Sequence, residues 1–227
     1  MISILNLFEI TPIKNIPLRV YLRLHILPLY KKFDLAHDVK HAEMVADFCV
    51  RLAKLVKADP DIAYAVGLLH DVGIQIDRET HNLESGKFVR NSTFLKTIFN
   101  KDQVEMIAQA VEDHRASNTY PPRNIYGKIV ADADRSDFMK AEDWMVRTWK
   151  YRKDMQKTHS DEEIFDEMFK RMQVSFGPNG TVKFYLPESE KILGPEFRRT
   201  KELAKDKEAT YKIFKKLRKD NILKRLD

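Results

Sequence analysis

The side chains best suited to chemistry sit at the ends of apolar stripes. His70 and Asp71 are adjacent, at the close of the run Ile62-Ala63-Tyr64-Ala65-Val66-Gly67-Leu68-Leu69, and Gly73 follows almost at once. Ala63, Val66, Gly67 and His70 share one helical face, which aims His70 into the core. Asp71 is harder to explain, because a carboxylate at the end of a buried helix costs several kcal/mol unless something positive pairs with it. No Lys or Arg lies between Asp59 and Arg78. A divalent cation held by His70 and Asp71 together resolves the difficulty. The plain alternative is a satisfied core histidine beside an aspartate that turns outward to cap a loop. Against that alternative stand His41, His114 and Asp134, which also extend apolar stripes, with His81 in the connection between.

Two or three imidazoles with two carboxylates make a mixed nitrogen and oxygen site. Such a set suits Mn, Fe, Co, Ni or Zn dications better than calcium, which prefers oxygen alone. The chain has no Cys-x-x-Cys, His-Glu-x-x-His, Walker loop or Gly-x-Gly-x-x-Gly, and no nucleophile elbow. Zinc-finger, zincin, P-loop, Rossmann and serine-hydrolase chemistries are therefore set aside.

These residues must be positioned by helices. Residues 36–57 predict an amphipathic helix with Val45, Phe48, Cys49, Leu52 and Val56 inward and His41 at the stripe's end. His37 lies one turn earlier. Asp59 as N-cap and Pro60 at the first position open the helix that ends in His70. Asn100 and Gln103 form a capping box for a helix whose stripe Val104, Ile107, Ala108, Val111 is extended by His114. Pro121-Pro122 break the chain, and a helix from Asn124 carries Asp132, Asp134 and Asp137, with Asp134 best aligned to the stripe. Further helices are expected at 138–156, from Asp161 to about Met172, and from about Gly194 into the basic tail. Ile16–Tyr30 predicts one amphipathic helix. Between Val174 and Leu186, Asn179-Gly180 between alternating apolar residues predicts a β-hairpin.

The 227 residues are 43% hydrophobic and 33% charged, ordinary values for a globular chain, and only seven glycines favour helix. One cysteine, Cys49, excludes an intrachain disulfide and is compatible with a reducing compartment; on its apolar face it reads as core. No segment reads as a signal peptide or reaches the ~18 uncharged apolar residues of a membrane span, so a cytoplasmic protein is expected. A net charge of +6 invites anionic partners.

The order His41…His70-Asp71…Asp134 resembles the HD-domain superfamily of metal-dependent phosphohydrolases. His41-Ala-Glu-Met-Val45 resembles the family's first-helix motif, Leu68-Leu69-His70-Asp71-Val72-Gly73 its signature, and Asp132-Ala133-Asp134-Arg135 its closing aspartate. His81-Asn-Leu-Glu84-Ser85, Asp113-His114-Arg115 and Gly127-Lys128-Ile129 resemble the branch of small bacterial hydrolases acting on nucleotides. The resemblance implies an all-α HD fold with the small hairpin as an appendage. Three parts are expected: a helical extension at 1–34, the HD domain at 35–155, and C-terminal helices with the hairpin at 156–227, packed on the HD domain.

It further implies that His41, His70, Asp71 and Asp134 hold one ion, which lowers the pKa of a water towards ~7 and polarises a phosphoryl group. Asp71, His81 and His114 are the implied catalytic residues; His81 and His114 either bind a second metal or handle phosphate and the leaving-group proton. Arg115, Lys128 and Arg135 are candidates for neutralising phosphate charge, with surface ion pairs as the alternative. The expected activity is hydrolysis of a phosphate ester or anhydride of a nucleotide or related metabolite. A non-catalytic sensing module and a phosphodiesterase acting on nucleic acid are the alternatives, and a homodimer is left open.

Overall fold

The computed structural model describes residues 14–34, 36–136, 139–155, 160–220, 222 and 223. Every regular element among them is helical. The N-terminal stretch begins with α1 (Ile16–Tyr21), capped by the Asn15 side chain accepting from Leu18 N–H. The single helix expected there is instead three pieces. A widened π-helical turn follows over Leu22–Ile26, then a 3₁₀ stretch over Leu27–Lys32. Pro28, which lacks an N–H, falls at the start of the tightened segment and interrupts the regular ladder.

The next helices enclose the main core. They are α2 (Val39–Leu55), α3 (Pro60–Leu69), α4 (His81–Asn91), α5 (Leu95–Ile98), α6 (Lys101–Asp113) and α7 (Ile125–Asp134). Their starts follow local chemistry: Asp38, Asp59 and Asn124 each cap with a side-chain oxygen, and Asn100 with Gln103 completes both bonds of a capping box. Val45, Leu52, Val66, Leu69, Ile107, Val111, Ile129 and Val130 interlock, and Leu18, Leu22, Ile26 and Tyr30 of the N-terminal stretch are buried among them. Each fully buried leucine contributes about 1.5–3 kcal/mol, so that stretch is an integral wall of the core.

α2 and α3 cross in close contact. A Cβ on Gly67 would stand 2.5 Å from Cα of Ala46, so only a glycine lets the two backbones approach this far. Cys49 is buried on α2, as its place on the stripe predicts, and burial pushes its thiol well above the ordinary value.

A second cluster gathers α8 (Ala141–Met155), α9 (Asp161–Phe176), α10 (Pro187–Leu203) and α11 (Lys207–Lys219) around Trp149, Met168, Met172, Phe176 and Phe214. The expected hairpin is absent here. Val174, Ser175 and Phe176 are the last turn of α9, because Phe165, Phe169, Met172 and Phe176 continue one helical stripe. The chain then reverses through Gly177–Gly180, with Thr181 N–H donating to Val174 O and Val182 N–H to Ser175 O. Residues 181–186 form no strand and lead directly into α10, seven residues earlier than the tail helix was expected to begin. This segment fastens the second cluster to α7: Asp132 accepts from Tyr185 N–H and Leu186 N–H at 2.9 Å each, and Leu186 is buried in the main core. Among the described residues, no helix is long and apolar enough to cross a membrane.

Candidate metal centre

Six ligand-type side chains meet where helices begin or end. His41 lies in the first turn of α2, where its N–H is taken by the Asp38 cap at 2.8 Å. His70 caps the end of α3, and Asp71 opens the following 3₁₀ turn, Val72–Gln75. His81 is the first residue of α4, His114 caps α6, and Asp134 is the last residue of α7.

The His70-Asp71 turn is held from both sides. Ser85 of α4 donates to His70 O at 2.7 Å and accepts from Gly73 N–H at 2.9 Å. Gly73 packs so tightly on α4 that a Cβ would fall 2.1 Å from His81 O. From the other side, the Tyr30 hydroxyl donates to Leu68 O at 3.1 Å and accepts from Asp71 N–H at 3.3 Å.

Asp71 sits between two histidine pairs. Its Oδ2 lies 3.1 Å from His70 Nε2 and 3.7 Å from His41 Nε2. Its Oδ1 lies 3.2 Å from His81 Nε2 and 3.4 Å from His114 Nε2. Within each pair the two Nε2 atoms are 3.3 Å apart. Asp134 Oδ1 joins the first pair, 3.3 Å from His41 and 3.9 Å from His70.

The hydrogen bonding on the far side of these rings decides what the near side can hold. Nδ1 of His70, His81 and His114 stands 2.7–2.8 Å from the carbonyls of Gly67, Arg78 and Val111 respectively. A carbonyl only accepts, so Nδ1 carries the proton and the Nε2 lone pair points into the cluster. Lone pairs and carboxylate oxygens facing one another in a buried space suit a cation. Donors about 2.1 Å from a first-row ion stand roughly 3.0–3.4 Å from one another, close to the spacing found. The residues therefore fit one ion on His41, His70, Asp71 and Asp134, and a second on Asp71, His81 and His114. The groups His41/His70/Asp71 and Asp71/His81/His114 each bring their donor atoms within 4.8 Å.

Burial pushes the Asp71 carboxyl up, but the imidazoles of His70, His114 and His41 around it outweigh that and hold Asp71 well below the ordinary range. Burial acts likewise on Asp134, and His41, His70 and His114 hold it below the ordinary range in the same way. The Asp134 side chain is 18% exposed against 2% for Asp71, so the cluster opens on the Asp134 side.

The cations named from the sequence are placed differently. Arg115 follows His114 and donates to Glu79 O, on the loop that leads to His81. Lys128 is six residues before Asp134 on α7, about 9 Å away along the helix axis. Arg135 is buried, donates to Lys183 O at 3.2 Å and lies over the Tyr185 ring at 5.5 Å; its Nε and Nη2 meet no acceptor among the described residues. Asp132 is spent on the 185–186 backbone, and Asp137 lies outside the described residues. Tyr30 and Arg147 were not singled out from the sequence. Nothing in the spacing of either marks it, since both reach the site across long stretches of chain: Arg147 Nη1 stands 3.1 Å from His41 Nδ1.

Residues 38–139 match the HD domain family. Ribonuclease Y from two strains of Ureaplasma parvum serovar 3 is 33% identical over 98 residues, covering 42% of this chain and 19% of the relative. The chain thus spans about a fifth of the length of these relatives. A solved structure of a predicted HD superfamily hydrolase from an uncultured Thermotogales bacterium superposes with a TM-score of 0.53 at 20% identity, over 92% of this chain and 99% of that one. That likeness is one of fold. All six donors lie inside the matched stretch, and residues 38–139 are an HD domain.

Proposed function

We propose that the chain is a metal-dependent phosphohydrolase that cleaves a phosphate ester or anhydride of a nucleotide or related metabolite. The observation that carries this reading is Asp71, whose two oxygens face two separate histidine pairs. When bound there, a first-row dication supplies Lewis acidity and an acidified water. His41, His70, Asp71 and Asp134 would hold it, and Asp71, His81 and His114 would hold a second. With a single ion bound, His81 and His114 remain as proton carriers, their Nδ1–H groups anchored and Nε2 directed at the reacting side. Arg115 is the best placed of the three cations named from the sequence for neutralising phosphate charge. Lys128 stands further along α7, and Arg135 serves the 183–185 segment.

A second reading, a phosphodiesterase acting on RNA, is favoured by the similarity to Ribonuclease Y across the HD stretch. One experiment separates the two. Apo protein is given Mn²⁺, Co²⁺, Ni²⁺, Mg²⁺ or Zn²⁺ and assayed for phosphate release on nucleotides and phospho-metabolites, and for cleavage of an end-labelled single-stranded RNA. Metal-dependent phosphate release, lost in Asp71→Ala, is expected. RNA cleavage without turnover of small substrates would replace the first reading with the second. Metal binding without any turnover would leave a ligand-sensing module.

A further inference from the structure

α11 holds almost the whole charge excess of the chain. Six of its thirteen residues are basic and one, Glu208, is acidic, a net +5 against +6 for all 227 residues. The rest of the sequence is therefore close to neutral, and the imbalance belongs to one helix.

The six cations divide by role. Lys207 pairs with Asp166 at 2.9 Å, and Arg218 pairs with Asp161 and lies over the Trp149 ring at 4.8 Å. Those two fasten α11 to α9 and α8, while Phe214 and Leu217 of the same helix are buried in the second cluster. The other four, Lys212, Lys215, Lys216 and Lys219, are exposed. At i, i+3, i+4 and i+7 they share one face of the helix. Lys212 meets Glu208 in an exposed pair at 2.9 Å, a contact that contributes little, and Lys215 lies 4.8 Å over the Tyr211 ring. Lys216 and Lys219 make no ion pair among the described residues. A helix C-terminus favours cations, which accounts for Lys216 and Lys219 in the last turn but not for Lys212 and Lys215.

Four like charges on one face repel one another, so the stripe favours an anion that neutralises several at once. Along the helix axis the four span about 10 Å. A nucleic-acid strand carries a phosphate roughly every 3.4 Å of duplex rise, so about three phosphates match the stripe. The stripe is one helix wide, the track of one backbone rather than the two of a duplex. An anionic bilayer would draw the same lysines, but a helix that lies in a bilayer also buries its apolar face there. The apolar face of α11 is already spent on the second cluster.

We infer that the Lys212/Lys215/Lys216/Lys219 face of α11 is a docking track for single-stranded nucleic acid. It lies outside the matched HD stretch, and it stands whether or not the strand is cleaved at the metal centre.

The test is fluorescence anisotropy of a short end-labelled single-stranded RNA with the full chain, metal-loaded and again in chelator, the second arm excluding cleavage. Neutralising about four phosphates of one strand gives a salt slope of about −2.8, so binding should be about 50-fold weaker at ~200 mM than at ~50 mM salt. The combined variant Lys212→Gln, Lys215→Gln, Lys216→Gln, Lys219→Gln should flatten that slope and bind about tenfold or more weakly at low salt. A control with the same change in net charge carries Lys31→Gln, Lys54→Gln, Lys96→Gln and Lys101→Gln, four exposed lysines on other elements, and should bind nearly as wild type does. Equal losses in the two variants overturn the track, since net charge alone would then explain the binding. So does a wild-type slope in the folded stripe variant, and so does a wild-type chain that binds no RNA. Flotation with phosphatidylserine vesicles in place of RNA binding would assign the stripe to a membrane and overturn the inference too. Should the fourfold variant not fold, the pair Lys215→Gln, Lys216→Gln replaces it, with about half the slope expected to go. Phosphate release from small substrates should be unchanged in the stripe variant, so the track and the phosphohydrolase reading fail separately.

Discussion

Gly67 of α3 lies against Ala46 of α2 with no room for a side chain between them: an added Cβ would stand 2.5 Å from the Ala46 Cα. The crossing sits within two turns of His41 on one helix and His70 on the other, whose Nε2 atoms are 3.3 Å apart. Gly67→Ala must push backbone from backbone, an overpacking that costs about 1–3 kcal/mol or more. The expected outcome is a Tm about 3–10 °C lower together with weaker metal retention. Thermal unfolding with and without chelator measures both, and a variant with wild-type metal affinity would show that the crossing does not set the ligand spacing.

Asp71 belongs to both donor groups and His114 to one. Asp71→Ala is therefore expected to carry no metal after dialysis, and His114→Ala to keep the ion of the His41/His70 group. Elemental analysis of the purified variants gives the stoichiometry. An Asp71→Ala protein with a full complement would mean that the ligands are wrongly assigned.

Ser85 is buried and spends its hydroxyl on His70 O and Gly73 N–H. Ser85→Ala leaves both backbone groups unsatisfied, at a cost of about 1–3 kcal/mol. Because those groups flank Asp71, metal affinity should also fall by roughly 10–100-fold, as when other supports of metal ligands are removed. Denaturant titration and competition against a chelator test the two effects separately. A loss of stability without a loss of affinity would confine Ser85 to holding the fold.

Acid sensitivity should come in part from a network behind α4. Glu112 is bonded by Arg90 and by Arg123 Nη2 at 2.6 Å. Burial raises its carboxyl, but the two guanidiniums outweigh that and hold it below the ordinary range. A group whose folded pKa is depressed adds stability above its unfolded value, about 4.3 for glutamate, and that stability is lost as pH falls through the lower folded value. Glu112→Gln should be about 1–2 kcal/mol less stable than wild type at pH 7. The gap should narrow as pH falls below about 4. Chemical unfolding at several pH values checks this, and a gap independent of pH would show that hydrogen-bond geometry, not charge, is what was lost.

Much of the candidate site was legible because its residues obey helical period. His41, His114 and Asp134 extend apolar stripes, and the two residues after Leu69 close another, so their inward direction follows from spacing alone. The N-caps at Asp59, Asn100 and Asn124 were equally readable, since capping is local chemistry. The misreading at 174–186 came from the same kind of signal. Asn179-Gly180 marks a reversal whether strands or a helix end precede it, and Phe176 fits both a two-residue alternation and the stripe of α9. Tertiary packing of Phe176 in the second cluster settles the matter for helix. Arg147 and Tyr30 were not legible, because their contacts with the site depend on which distant segments touch, and no periodicity encodes that.

Tyr30 gives the N-terminal stretch a share in the chemistry. Its hydroxyl spans Leu68 O and Asp71 N–H, the two backbone groups on either side of His70. Docking of residues 16–32 and occupancy of the metal centre are then two equilibria that share a free energy, and each must strengthen the other by the same factor. Removing the ion should speed amide exchange in the 16–32 segment, 38 to 54 residues upstream of His70. Conversely, anything that peels that segment from the core should let the ion go, which makes the N-terminal wall a point from which the centre can be emptied without touching a ligand.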